Sequence, residues 1–287
     1  MSPGPEAGPG PSRVPSVTSC GHRASLLTAD GVRIEAAYTP RSGAVTAGGK
    51  GSADDLALVV AHGFTGSLDR PALRRAAAAF HGRAAVVTFS FRGHGGSGGR
   101  STLGDREVED VAAAVRWART LGHRRVATLG FSMGGSVVLR HAALHPAHRG
   151  RTAAHTDAVV SVSAPARWFY RGTAPMRRLH WAVTRPAGRL VSRVGLRTRV
   201  HPGDWDPVPL SPVAAVPLIA PVPLLLVHGD RDPYFPLDHP RTLYAAADPA
   251  TCDLWLEPDF AHAENAAGPA LLARIGGWIA EQLLAAE

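Results

Sequence analysis

The sequence is poor in most of the residues that would point to a metal, a disulfide scaffold or a membrane. It has two cysteines in 287 residues. Cys20 lies in a Pro- and Gly-rich leader and Cys252 opens a predicted strand, which argues against a structural disulfide or a thiol-based metal site. Lysine is nearly missing: Lys50 is the single one, and the formal charge of +8 is carried by scattered arginine. No zinc-finger, helix-turn-helix or aromatic-ribbon pattern accompanies that charge, so no nucleic-acid partner is expected. No apolar run reaches the ~20 residues of a membrane-spanning helix, so stable membrane insertion is not expected either. The longest candidate, Pro217–Val227, is broken by Pro221 and Pro223. The first twenty residues show no basic start followed by an apolar run, which leads to the expectation of a cytoplasmic protein.

A hydrophobic fraction of 45% against 19% charged residues suits a globular chain with a sizeable core. Residues 1–20, rich in Pro, Gly and Ser, are expected to form a disordered tail. Beyond them, Asp30-Gly31 between two β-prone runs predicts a hairpin. Residues 41–55 read as a surface loop. Leu56–Ala61, Ala84–Phe91, Arg125–Leu129, Ala158–Val162, Leu224–Val227 and Asp253–Leu256 read as strands. Between and after them, Arg70–Phe80, Arg106–Leu121, Met133–Leu144, Asp238–Ala247 and Pro269–Leu284 read as helices. Such alternation predicts an α/β fold with a mostly parallel central sheet and helices on both faces. A single domain is expected over residues 21–287. Residues 166–217 interrupt the pattern for longer than a normal crossover and are expected to form a small helical cap.

Gly130-Phe131-Ser132-Met133-Gly134 follows a predicted strand and opens a predicted helix. An attacking serine needs such a sharp turn to expose its hydroxyl, and small flanking residues let the backbone make it. His62-Gly63-Phe64 follows Leu56–Ala61. The backbone amides of Phe64 and Met133 are the expected donors to an oxyanion. His228-Gly229-Asp230-Arg231-Asp232-Pro233 puts two candidate carboxylates, Asp230 and Asp232, at a strand's C-terminal end. His262 lies after that acid, in a short loop ahead of the last helix. In the chain order nucleophile, acid, base, it is the candidate general base. His62 precedes the serine and is expected to brace its loop.

These motifs, together with Phe91-Arg92-Gly93-His94-Gly95-Gly96-Ser97-Gly98 and Ala261-His262, resemble the α/β-hydrolase fold family from about Ala24 to the C-terminus. The resemblance implies a Ser132–Asp232–His262 triad, its spacing favouring Asp232 over Asp230, and gives the Arg92 block a structural role. It implies an acyl-enzyme mechanism on a small-molecule ester with no cofactor and no metal. A serine nucleophile argues against the epoxide-hydrolase and dehalogenase branches. Acyl transfer, thioester or peptide cleavage by the same triad remain alternatives, as does a non-catalytic ligand-binding protein. The cap's Trp168, Phe169, Tyr170 and Trp181 are candidates to wall an apolar acyl pocket, and Arg167, Arg171, Arg177 and Arg178 to attract an anionic group. Two positions depart from the family pattern: Ser90 stands where many relatives have Asp, and Asp259 where many have Gly.

Overall fold

Leu56–Ala61 has no polar side chain to turn toward water, so it can only be a strand covered on both faces, and all six residues are buried. A computed structural model describes residues 21–43, 55–146 and 152–284. The tail expected at 1–20, most of the loop expected at 41–55, and Cys20 and Lys50 lie outside the described residues.

Eight strands form one sheet: β1 (His22–Leu27), β2 (Arg33–Thr39), β3 (Leu56–Ala61), β4 (Ala85–Phe89), β5 (Arg125–Phe131), β6 (Ala158–Val162), β7 (Leu224–Gly229) and β8 (Cys252–Glu257). Their order is β1-β2-β4-β3-β5-β6-β7-β8. The β1–β2 and β2–β4 pairs are antiparallel and the others parallel. The helices are α1 (Pro71–Ala78), α2 (Glu107–Thr120), α3 (Met133–Leu144), α4 (Ala174–Thr184), α5 (Pro186–Gly195), α6 (Pro212–Ala215), α7 (Asp238–Ala246), α8 (Ala263–Ala266) and α9 (Pro269–Leu284).

Two cores flank the sheet. Val111, Val115, Val137 and Val138 of α2 and α3 pack on one face, while Leu73 of α1 and Ile275 and Ile279 of α9 pack on the other. Each fully buried side chain of this kind stabilises the fold by about 1.5–3 kcal/mol. Cys252 is a free, buried thiol, its pKa pushed up to about 12 by burial.

The Arg92 block has the structural role the resemblance implies. Arg92 is 2% exposed. Its guanidinium donates to both Asp110 and Asp30 at 2.6–3.0 Å, and its amide donates to Asp110. The β1–β2 turn, the loop after β4 and α2 are thereby tied together. Ser90 has partners of its own: its hydroxyl donates to Glu35 at 2.6 Å and accepts the Leu68 amide.

Between β6 and β7 lie α4, α5 and α6, in the stretch expected to be a helical insertion. It rests on the loop after β4 through bridges from His94 to Thr198 and from Ser101 to Val200. The four aromatic candidates for a pocket wall have different surroundings. Phe169 and Trp181 are 60% and 51% exposed, and Trp168 and Phe169 pack on Trp205. Trp205 in turn donates its indole N–H to the Thr102 carbonyl. The Trp168–Phe169–Trp205 cluster thus fastens the insertion to the β4–α2 connection. Tyr170 packs against Phe235 and His239. Arg167 pairs with Asp238 and Arg177 with main-chain carbonyls, so both are bound within the protein.

Candidate active site

β5 ends on Phe131 and α3 begins on Met133, so one residue makes the turn. That residue is Ser132, held at φ 52° and ψ −114°, a region disfavoured for a residue with a side chain and costing about 1–3 kcal/mol. The flanking glycines are what make it feasible. A Cβ at Gly130 would lie 2.2 Å from the Gly134 carbonyl oxygen, and one at Gly134 would lie 2.6 Å from the oxygens of Ala61 and His62. The Ser132 amide donates to Val162 at 2.8 Å, pinning the turn to β6. The spacing of that motif is therefore set by main-chain contact with β3 and α3.

His262 immediately precedes α8. Its Nε2 is 2.9 Å from Ser132 Oγ and its Nδ1 is 2.7 Å from Asp232 Oδ2. Asp232 has a fully buried side chain, and its other oxygen accepts the amides of Tyr234 and Phe235 at 2.8 and 3.1 Å. Residues 132, 232 and 262, far apart in the chain, thus form one continuous hydrogen-bonded line.

A model of the α/β-hydrolase fold family matches residues 57–181. No curated protein matches the chain. Among solved structures, an esterase of Pyrococcus furiosus superposes with a TM-score of 0.68 at 21% identity, over 92% of this chain and 93% of its own. An α/β-hydrolase of Penicillium sp. sh18 gives 0.67 at 17% identity over 92% and 99%. An esterase domain from Rhodothermus marinus gives 0.61 at 20% over 93% and 99%. The chain has the α/β-hydrolase fold.

Within that fold the remaining candidate residues are distributed as follows. Met133 is the first residue of α3, where an amide has no intrahelical acceptor. Phe64 is in the loop after β3. Among the described residues neither amide has a hydrogen-bond acceptor. Asp230, the other candidate acid, lies apart from His262's ring: its carboxylate accepts the Asp259 amide at 2.8 Å. Asp259 itself takes a left-handed φ of 59°, so this loop reaches a glycine-like conformation with Asp in the family's Gly position. Arg231 and Asp259 close the same junction with an exposed ion pair.

His62 braces its loop. The fully buried ring donates from Nδ1 to the Gly63 carbonyl at 2.6 Å and accepts the Phe91 amide at Nε2 at 3.0 Å. Burial and the neighbouring His94 push its pKa down to about 3, which keeps it neutral. His228 stands behind the acid. Its Nε2 is 3.6 Å from Asp232 Oδ2 and donates to the Phe235 carbonyl at 2.8 Å, with burial lowering its pKa.

Two neighbours were not singled out in the sequence. Glu264, buried in α8, accepts the Gly63 amide at 2.9 Å, one residue before Phe64. Tyr234 lies over the His262 ring with centroids 4.4 Å apart. Glu264 carried no readable signal, because its partner is 201 residues away. Tyr234 could have been suspected from its place two residues after Asp232. Among the described residues no group of three or more His, Cys, Asp or Glu could hold a metal ion.

Proposed function

We propose that this chain is a serine hydrolase that cleaves carboxylic esters through an acyl-enzyme. Ser132 is the nucleophile, His262 the general base and Asp232 the acid that orients it. The observation that carries this reading is the unbroken line Ser132 Oγ–His262 Nε2 and His262 Nδ1–Asp232 Oδ2, at 2.9 and 2.7 Å.

In this mechanism the Ser132 proton passes to His262 Nε2 as Oγ bonds to the ester carbon. Asp232 holds the ring with Nδ1 protonated and stabilises the imidazolium that forms. The carbonyl oxygen becomes an oxyanion and takes the amides of Phe64 and Met133. His262 then protonates the departing alcohol as the C–O bond breaks. Water, deprotonated by His262, attacks the acyl-enzyme and returns the acid product and the free serine. The insertion carrying α4 and α5 is the cap of this site. Its Tyr170 packs on Phe235, whose ring centroid is 5.8 Å from that of His262, which makes an aromatic wall for a small or medium acyl chain.

The test is a panel of p-nitrophenyl esters of increasing chain length, assayed with the wild type and Ser132→Ala. The reading requires turnover that the substitution abolishes. Turnover indifferent to Ser132, or none across the panel, would count against it. Partitioning between water and added alcohol, with thioesters in the same panel, determines the acceptor and the scissile bond.

A further inference from the structure

A surface helix ordinarily buries its apolar stripe and gives its polar face to water. In α5 the arrangement is reversed. Its buried residues are Gly188 and Ser192, and a Cβ at Gly188 would lie 2.6 Å from Ala182 Cα and the Trp181 carbonyl, so the small face lets α5 close on α4. Leu190, Val191 and Val194 are left 60%, 56% and 75% exposed. With Ala187 they keep the i, i+3, i+4, i+7 spacing of one helical face. Trp181 and Phe169 add exposed aromatic surface from α4 and the segment before it.

The chain around this stripe is strongly basic, with Asp204 and Asp206, beside Trp205, the acidic residues of the insertion. From Ala158 to Gly203 the chain has nine arginines and no acidic residue. Arg189, Arg193 and Arg199, with Arg197 on one side and Arg100 on the other, line two adjoining cavities of about 440 and 270 Å³. Arg193 and Arg199 belong to both, and Leu190 of the apolar stripe lines the second, so stripe and cavities are continuous. The side chains of Arg100, Arg193 and Arg197 have no hydrogen-bond or ion-pair partner among the described residues. Glu35 lies under the glycine floor of the first cavity, held by the Gly96 amide and the Ser90 hydroxyl.

Apolar side chains bordered by arginine match the boundary between lipid headgroups and acyl chains, and an anionic surface attracts each nearby cation. A second copy of the chain fits less well, because face-to-face contact would set one arginine-rich surface against another. We propose that the α4–α5 insertion is a peripheral docking face for an anionic phospholipid bilayer, with the α5 stripe seated at the headgroup boundary and the arginine cavities receiving headgroup phosphates. This proposal is independent of the hydrolase reading.

Co-sedimentation tests it, with vesicles of phosphatidylcholine alone and of phosphatidylcholine mixed equally with phosphatidylglycerol. The wild type is expected to bind the mixed vesicles, to leave the neutral ones free, and to lose binding as salt is raised. Arg193→Gln with Arg197→Gln is expected to weaken binding roughly thirtyfold, at about 1 kcal/mol per arginine. Leu190→Ser with Val194→Ser is expected to release the protein as well. Both pairs are exposed, so unchanged melting temperatures will show that the fold is intact. Equal binding to neutral vesicles, no vesicle binding, or binding indifferent to both pairs would overturn the proposal. So would a solution dimer that Leu190→Ser with Val194→Ser dissolves, or saturable binding of pyrophosphate without vesicle binding.

Discussion

The Glu264 carboxylate accepts the Gly63 amide at 2.9 Å, so an α8 side chain fixes the main chain immediately before the Phe64 amide. If that amide stabilises an oxyanion, Glu264 is a positioning residue for it. Removing one oxyanion donor outright costs about 10²–10³ in kcat, and loosening its support costs less. Glu264→Ala is expected to lower kcat for a p-nitrophenyl ester by roughly tenfold with KM little changed. Glu264→Gln keeps a carbonyl acceptor and is expected to restore most of the rate. A rescue by Gln that fails, or a loss confined to KM, would remove Glu264 from this role.

The two neighbouring carboxylates separate cleanly. Asp232 holds His262 Nδ1, whereas Asp230 holds the Asp259 amide. Asp232→Asn is expected to lower kcat by about 10⁴, because the amide favours the wrong imidazole tautomer. Asp230→Asn still presents an acceptor to Asp259 and should stay within roughly tenfold of the wild type, since only loop support is at stake. Steady-state rates of the two variants decide it, and comparable losses would reject the assignment.

The sheet was legible because its central strands are unbroken apolar runs. The strand ends moved by a residue or two where ladder bonds carry on into polar positions, as at His228-Gly229 of β7. The serine turn was legible because the Gly130 and Gly134 positions answer to main-chain clashes that any sequence making the turn must avoid. Glu264 was not legible, since only folding brings it to Gly63. The orientation of α5 was not legible either. Periodicity shows that Leu190, Val191 and Val194 share a face, but it is Gly188, by allowing close approach to α4, that turns that face outward.

Gly134→Ala tests the turn directly. Its new methyl would sit 2.6 Å from two carbonyl oxygens of β3 and the residue after it, with no flexible side chain to yield. A loss of about 3 kcal/mol or more in denaturant unfolding is expected. A variant as stable as the wild type would show that the loop has room the structure does not display.

Arg92 and Asp30 link stability to acid. The guanidinium hydrogen-bonded to Asp30 lowers that carboxyl from its ordinary 3.8 to about 2. A carboxyl depressed in the folded state adds stability above its unfolded pKa and loses it as pH falls through the folded one. Unfolding free energy should therefore fall between about pH 4 and pH 2, and Asp30→Asn should flatten that part of the curve while lowering stability at neutral pH. Parallel curves for the two proteins would refute the link. Arg92→Ala removes the guanidinium from the buried Asp110 and leaves it only the main-chain amide of residue 92, and is expected to cost about 3–5 kcal/mol.

The measurement that bears most directly on the central claim is the intact mass of the protein after reaction with a fluorophosphonate, followed by peptide mapping. One adduct per chain on Ser132, missing from Ser132→Ala and formed far more slowly in His262→Ala, is the predicted result. A folded wild-type protein that takes no label, or takes it at another residue, would contradict the claim.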